Sequence, residues 1–270
     1  TVSSSSLERI AEVSEGKAWF QLYNPKDDGI RKDLLNRLQA ARFEVLAVTV
    51  DVPTFGYRPR DIRNGLAMPP KMTLSNILQM MVRPRWLMAT AAAGQPVMEN
   101  IKPYMPKGMP TSDLADFMNK TVMGRVDIEG LKPIRDFWQG PLIIKGLISE
   151  LDVQRAIELG ADAVVISNHG GRQLDVGESP VEPLKNISRK YGDQIKVFMD
   201  SGLRSGSNIA SALACGADFA FLGRAFVYGV AALGEQGGFH TINMLKTQLE
   251  QVMNQLGCST VADLPKHLVE

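Results

Sequence analysis

His169 and Arg172 stand three residues apart with Gly170 and Gly171 between them, in the run Ser167-Asn168-His169-Gly170-Gly171-Arg172-Gln173-Leu174-Asp175. The apolar stretch Asp162-Ala163-Val164-Val165-Ile166 precedes this run and reads as a buried strand. The histidine offers a proton acceptor near neutral pH. The arginine offers a planar fork that grips a carboxylate through two hydrogen bonds. Glycines between them let the backbone turn tightly and approach a ligand. A lone histidine is more often structural than catalytic, but a Gly-Gly-Arg context at a strand end reverses that expectation. A base beside a carboxylate clamp suits chemistry on a small organic acid.

Other strand ends carry polar residues of the same kind. Asp51 closes Thr49-Val50-Asp51-Val52-Pro53, where it reads either as a turn aspartate or as a carboxylate for a nearby cation. Arg58 lies in Gly56-Tyr57-Arg58-Pro59-Arg60-Asp61, and Arg60 reads as a surface charge. Tyr23 ends Phe20-Gln21-Leu22-Tyr23, and a core tyrosine with a satisfied hydroxyl is its plain alternative. Gln21, Thr49 and Lys145 end three different apolar runs. A lysine in that place is costly without a partner, so either a ligand or a buried salt bridge must meet Lys145. Asp200-Ser201-Gly202-Leu203-Arg204-Ser205-Gly206 and Leu222-Gly223-Arg224-Ala225 follow the last two runs. Gly202, Gly206 and Gly223 would free backbone N–H groups there, with Arg204 and Arg224 adding charge, which is a phosphate-binding pattern.

The elements that must position these groups alternate. Strands are expected at Ala18–Tyr23, Val45–Val50, Leu142–Lys145, Asp162–Ser167, Lys196–Asp200 and Phe219–Leu222. Helical patterns occupy Leu7–Val13, Ile30–Ala41, Glu129–Trp138, Glu150–Leu159, Val181–Lys190, Ser207–Cys215, Ala225–Leu233 and Phe239–Leu256. Such alternation implies α/β architecture with parallel strands and right-handed crossovers. Polar groups at every strand's C-terminal end point to a TIM (β/α)8 barrel, whereas a doubly wound sheet would gather them at one switch point.

The 167–175 run resembles the active-site signature of the FMN-dependent α-hydroxy-acid dehydrogenase and oxidase family, and the resemblance extends from Trp19 to about Leu268. It implies FMN as cofactor and oxidation of an L-α-hydroxy acid to the α-keto acid. Electrons would pass through the flavin to quinone, cytochrome or oxygen. By resemblance His169 is the base, Asp51 stabilises its imidazolium form, and Tyr23 hydrogen-bonds the substrate. Arg172 and Arg58 would hold the substrate carboxylate. Gln21, Thr49 and Lys145 would touch the flavin ring. Ser167, Asp200, Gly202, Arg204, Gly223 and Arg224 would complete the cofactor site. The stretch Ile134-Arg135-Asp136-Phe137-Trp138 looks most like the bacterial L-lactate dehydrogenases of the family, and Tyr57-Arg58 is similar to the mandelate dehydrogenases too. Val2 falls where glycolate oxidases carry a pocket tryptophan, which favours lactate or a bulkier acid over glycolate. A barrel needs eight strands, so the resemblance makes residues 1–270 a partial barrel, strands three to eight. The first two βα units, roughly a hundred residues on the family pattern, are expected to be missing. Two rival readings stand beside this one: an isomerase or lyase acting on a phosphorylated substrate on the same fold, and an inactive partner subunit.

The bulk properties agree with a sizeable α/β core. Apolar residues make up 44%, and 30 basic side chains nearly balance 29 acidic ones, so no global charge argues for nucleic acid. Cys215 and Cys258 lack metal-ligand spacing and read as inert thiols in a reducing compartment. His240 and His267 read as helix-surface or packing residues, and the 13 methionines mostly as core filler. One segment does not fit a βα loop: Met68 to about Arg125, between the strands ending near Val50 and beginning at Leu142. Apolar side chains, Trp86 and an excess of Lys and Arg give residues 72–109 the look of an interfacial segment. A lid or a subunit contact is the alternative. By resemblance the protein would be cytoplasmic, peripheral on the cytoplasmic face of the inner membrane, and a homo-oligomer, a tetramer on the family pattern.

Overall fold

A computed structural model of the chain describes residues 2–67, 71–94, 97–110 and 113–269. Thr1 and the expected start of the insertion at Met68 lie outside the described residues. The chain divides into two compact units, residues 1–127 with 137–140, and residues 128–136 with 141–270.

The first unit holds strands β1 (Phe20–Tyr23) and β2 (Leu46–Thr49), which pair in parallel with Gln21 opposite Ala47 and Tyr23 opposite Thr49. Phe20 and Leu22 point into the core, so Gln21 and Tyr23 share the other face by strand alternation. The helix Asp28–Ala40 links the strands. Asp27 caps it by accepting from the Ile30 N–H, and Leu34, Leu35 and Leu38 form its buried stripe. A helix Leu7–Val13 precedes β1, and its Leu7 N–H donates to the buried Asn100 side chain at 2.7 Å.

The long segment after β2 behaves as two parts. Ile101, Met118, Val122 and Met123 form a buried cluster with Val52, and Tyr23, Phe55 and Met105 pack against it. The preceding helices Leu74–Met81 and Pro84–Ala93 pack on each other and bury none of their described side chains. Among the described residues no helix is long and apolar enough to cross a membrane.

The second unit carries four parallel strands in sequential order: β3 (Leu142–Leu147), β4 (Ala163–Ile166), β5 (Lys196–Met199) and β6 (Phe219–Ala220). β4 is buried along its whole length, as expected of a parallel strand covered on both faces. Two Gly-Ala-Asp repeats set the register. Asp162 and Asp218 each enter a strand and accept a backbone N–H from the start of the neighbouring strand, from Leu142 at 2.8 Å and from Val197 at 2.9 Å. The helices Glu150–Glu158, Val181–Tyr191 and Gly206–Ala214 follow β3, β4 and β5. The helices Arg224–Leu233 and Gly237–Leu256 close the unit, and both cysteines are buried and free.

Each strand differs from the sequence expectation by one or two residues at one or both ends, and two of these differences have a local cause. β3 runs past Lys145 because Gly146, at φ 103°, forms a bulge that lets Leu147 resume pairing. β6 keeps only two residues, because its partners in β5 end at Met199.

Candidate active site

In the second unit the residues at the C-terminal ends of β3, β4 and β5 form one hydrogen-bonded cluster. Lys145 leaves β3 just before the Gly146 bulge, and its ammonium meets the Asp200 carboxylate after β5 at 2.7 Å. Only 20% and 18% of these two side chains are exposed, so the pair is held out of bulk water. The same ammonium donates to the Ser167 hydroxyl after β4 at 3.3 Å. The salt bridge weighed as the alternative for Lys145 is therefore present, and it keeps a cation at the strand end.

His169 sits in a single 3-10 turn, His169–Gly171, in which His169, Gly170 and Gly171 have φ of 55°, 68° and 69°. A histidine in the left-handed region is uncommon and signals a turn held by its surroundings. Here the holding groups are hydroxyls: the His169 N–H donates to Ser167 at 3.0 Å, and the Asn168 and Gly170 N–H groups donate to Ser201 at 3.2 and 3.0 Å. Asn168 fastens the turn further by accepting from the Gly171 N–H and donating to the Glu178 carbonyl. A side chain at Gly170 would be strained by its φ of 68°, and its Cβ would lie 2.5 Å from the guanidinium tip of the Arg224 side chain, which would have to move. That guanidinium donates to the Gly170 carbonyl at 3.4 Å, tying the segment after β6 to the histidine turn. Arg172 follows the turn with its side chain exposed.

The proposed phosphate loops differ from each other. The helix Gly206–Ala214 opens with a closed capping box: Ser205 accepts from Asn208 N–H, and the Asn208 side chain accepts from Arg204 and Ser205 N–H. Gly206 N–H donates to Gln248. Gly206 is thus a packing residue, which corrects its reading as a source of free backbone donors. The helix Arg224–Leu233 begins at Gly223 with no side-chain cap, and no neighbouring atom lies within 4 Å of where a Cβ on Gly202 or Gly223 would be. An uncapped helix start with Arg224 in its first turn suits an anion. Arg204 donates to the Leu203 carbonyl at 3.0 Å.

In the first unit, Gln21 donates from its amide to the Thr49 hydroxyl at 2.9 Å, joining two of the expected flavin contacts at neighbouring strand ends. Thr49 is buried and Gln21 half-buried. Tyr23 packs against the Val52 cluster. Asp51 and Arg58 lie half-buried in the segment leaving β2, and Arg58 immediately precedes the short helix Pro59–Arg63.

The comparisons with known proteins bear on this arrangement. The family model described as FMN-dependent dehydrogenase matches residues 1–270. The chain belongs to the FMN-dependent dehydrogenase family. It is 37% identical to L-lactate dehydrogenase of Vibrio parahaemolyticus over 98% of this chain and 70% of that protein. The L-lactate dehydrogenase of Haemophilus influenzae strain PittEE is also 37% identical, over 100% of this chain and 71% of its own. Among solved structures, the monotopic membrane protein (S)-mandelate dehydrogenase superposes with a TM-score of 0.90 at 35% identity, over 98% of this chain and 70% of that one. A mandelate oxidase gives 0.77 at 31% identity.

Membership makes the protein an FMN-dependent oxidoreductase and sets aside the isomerase or lyase reading and the inactive-subunit reading. The donor set fits FMN: Lys145 suits a ring that gains negative charge on reduction, and the uncapped helix start at Gly223 suits a phosphate. Sequence reasoning passed over Ser201 and Asn168 as functional residues. A hydroxyl directly after the strand-end Asp200 was the available signal for Ser201.

Proposed function

We propose that this enzyme oxidises an L-α-hydroxy acid of the lactate or mandelate type to the α-keto acid, with His169 as the base. The observation that carries the proposal is the histidine turn fastened beside the Lys145–Asp200 pair. Bound FMN supplies the two-electron acceptor. Arg172 and Arg58 hold the substrate carboxylate, and Tyr23 donates a hydrogen bond to the substrate. His169 accepts one of the two protons that leave the substrate, and Asp51 stabilises the imidazolium that results. Gln21, Thr49, Lys145, Ser167, Asp200, Gly202, Arg204, Gly223 and Arg224 hold the cofactor. Electrons leave to quinone, cytochrome or oxygen. The six parallel strands among the described residues, each with polar groups at its C-terminal end, support a partial TIM barrel over residues 1–270, strands three to eight of the family pattern, with an insertion at about 68–125.

The enzyme sits on the cytoplasmic face of the inner membrane through residues 72–109, with the helices Leu74–Met81 and Pro84–Ala93 as the contacting part. Leu74, Ile77, Leu78 and Met81 repeat at helical spacing and are exposed, as are Trp86 and Met88. Lys71, Arg83 and Arg85 lie nearby, and no acidic residue occurs between Asp61 and Glu99. Such a segment suits an anionic lipid surface. The membrane character of the mandelate dehydrogenase relative supports this reading. Exposed Val227, Tyr228, Phe239 and Ile242 support a homo-oligomer.

The visible spectrum of the purified protein, before and after anaerobic L-lactate or L-mandelate, tests the reaction. Flavin absorbance should bleach with one acid. Flavin that stays oxidised with both would overturn the substrate class.

A further inference from the structure

We infer that Ser201 is a positioning residue of this site: its hydroxyl couples the turn that carries His169 to the Lys145–Asp200 ion pair. The inference rests on the reading of His169 as the base. Ser201 is one of four non-glycine residues with positive φ among the described residues, at 80°. That conformation is disfavoured for a side chain with a Cβ and is natural for glycine, so the hydroxyl is the reason to look for a role.

The Ser201 hydroxyl has one proton to donate and two lone pairs to accept with. All three capacities are used, and the Ser167 hydroxyl lies 3.4 Å away as a fourth contact. Ser201 donates to Asp200 Oδ1 at 2.8 Å, and it accepts the Asn168 and Gly170 N–H groups on either side of His169 at 3.2 and 3.0 Å. The other Asp200 oxygen, Oδ2, holds the Lys145 ammonium at 2.7 Å. The left-handed backbone at residue 201 aims the hydroxyl back across the sheet from β5 to the end of β4. An extended residue there would direct it elsewhere. The backbone on either side of His169 and the cation at the end of β3 are thus linked through the Ser201 hydroxyl and the Asp200 carboxylate, beside a second link in which the Ser167 hydroxyl accepts from both Lys145 and the His169 N–H. A shift of either is transmitted to the other through Asp200.

Ser201→Gly tests this, because glycine keeps the backbone conformation and removes only the hydroxyl. Expected results are an unchanged or raised Tm and faster amide hydrogen exchange at Asn168 and Gly170, by about tenfold or more. Maximal flavin reduction should also slow by about tenfold or more, with KM changing less than kcat, as for a displaced catalytic group. Ser201→Ala, which keeps the strained Cβ, should lose the same amide protection and have a lower Tm than Ser201→Gly. Wild-type exchange at residues 168 and 170 in both variants would overturn the inference, as would wild-type kcat with altered exchange. If the wild-type protein itself fails to reduce flavin with any hydroxy acid, the reading of His169 falls. The exchange comparison in ligand-free protein still decides whether Ser201 fastens the turn.

Discussion

At the scale of single residues, the site is governed by what a charge or a hydroxyl costs when it is taken from water. Lys145 and Asp200 are each about four-fifths buried and sit 2.7 Å apart, so removing one leaves the other uncompensated. Lys145→Met should therefore lower stability by about 1–3 kcal/mol, less than for a fully buried pair because both groups keep some water. It should also reduce bound flavin. Lys145→Arg should restore most of the stability. Urea unfolding and flavin absorbance read the two effects separately. Much at this scale was legible beforehand: a lysine ending an apolar run demands a partner, and His-Gly-Gly-Arg after a strand demands a tight turn. The partner's identity was not legible, because Lys145 and Asp200 are far apart in sequence and meet only through strand pairing.

At the scale of elements, two contacts show how helices and loops are held in register. Gly206 lets the helix Gly206–Ala214 cross the helix Gly237–Leu256 closely, since a Cβ there would lie 2.3 Å from Leu249 N. Gly206→Ala should destabilise the protein by about 1–3 kcal/mol, as overpacking does, and denaturant unfolding measures it. In the first unit, Tyr104 donates to Asp33 and accepts from Arg37, which also pairs with Glu8. Burial, reinforced by the bond to Asp33, raises the Tyr104 hydroxyl from 10.0 to about 12. A group with a raised folded value stabilises fully below its unfolded value and loses that contribution as pH rises. Stability should therefore fall between pH 10.0 and about 12 in the wild type. Tyr104→Phe should show a shallower fall in the same window, and thermal melts across it make the comparison. Strand positions were legible at this scale from apolar runs. The bulge at Gly146 and the shortening of β6 were not, because both follow from the neighbouring strand's register.

At the scale of the whole molecule, the segment after β2 divides by burial. Residues 98–123 contribute Ile101, Met118, Val122 and Met123 to a core, while the helices of 74–93 leave their apolar stripe uncovered. Deleting 72–109 would cut into that core, so the membrane reading is better tested by charge. Leu78→Asp with Trp86→Asp should abolish flotation with anionic vesicles and leave flavin reduction by hydroxy acid within about twofold of wild type, since substitutions of exposed side chains usually change stability by less than about 0.5 kcal/mol. Equal flotation of both proteins would remove the membrane reading.

The sequence by itself determined the alternation of strands and helices, the identity of the chemistry-bearing side chains and the family, because period, turn residues and short motifs are local properties of the chain. The tertiary structure alone decided which polar groups meet. It paired Lys145 with Asp200, gave the Gly206 N–H to Gln248 and set Ser201 against the histidine turn. Those outcomes depend on register and helix crossing, which bring together residues that no local pattern relates.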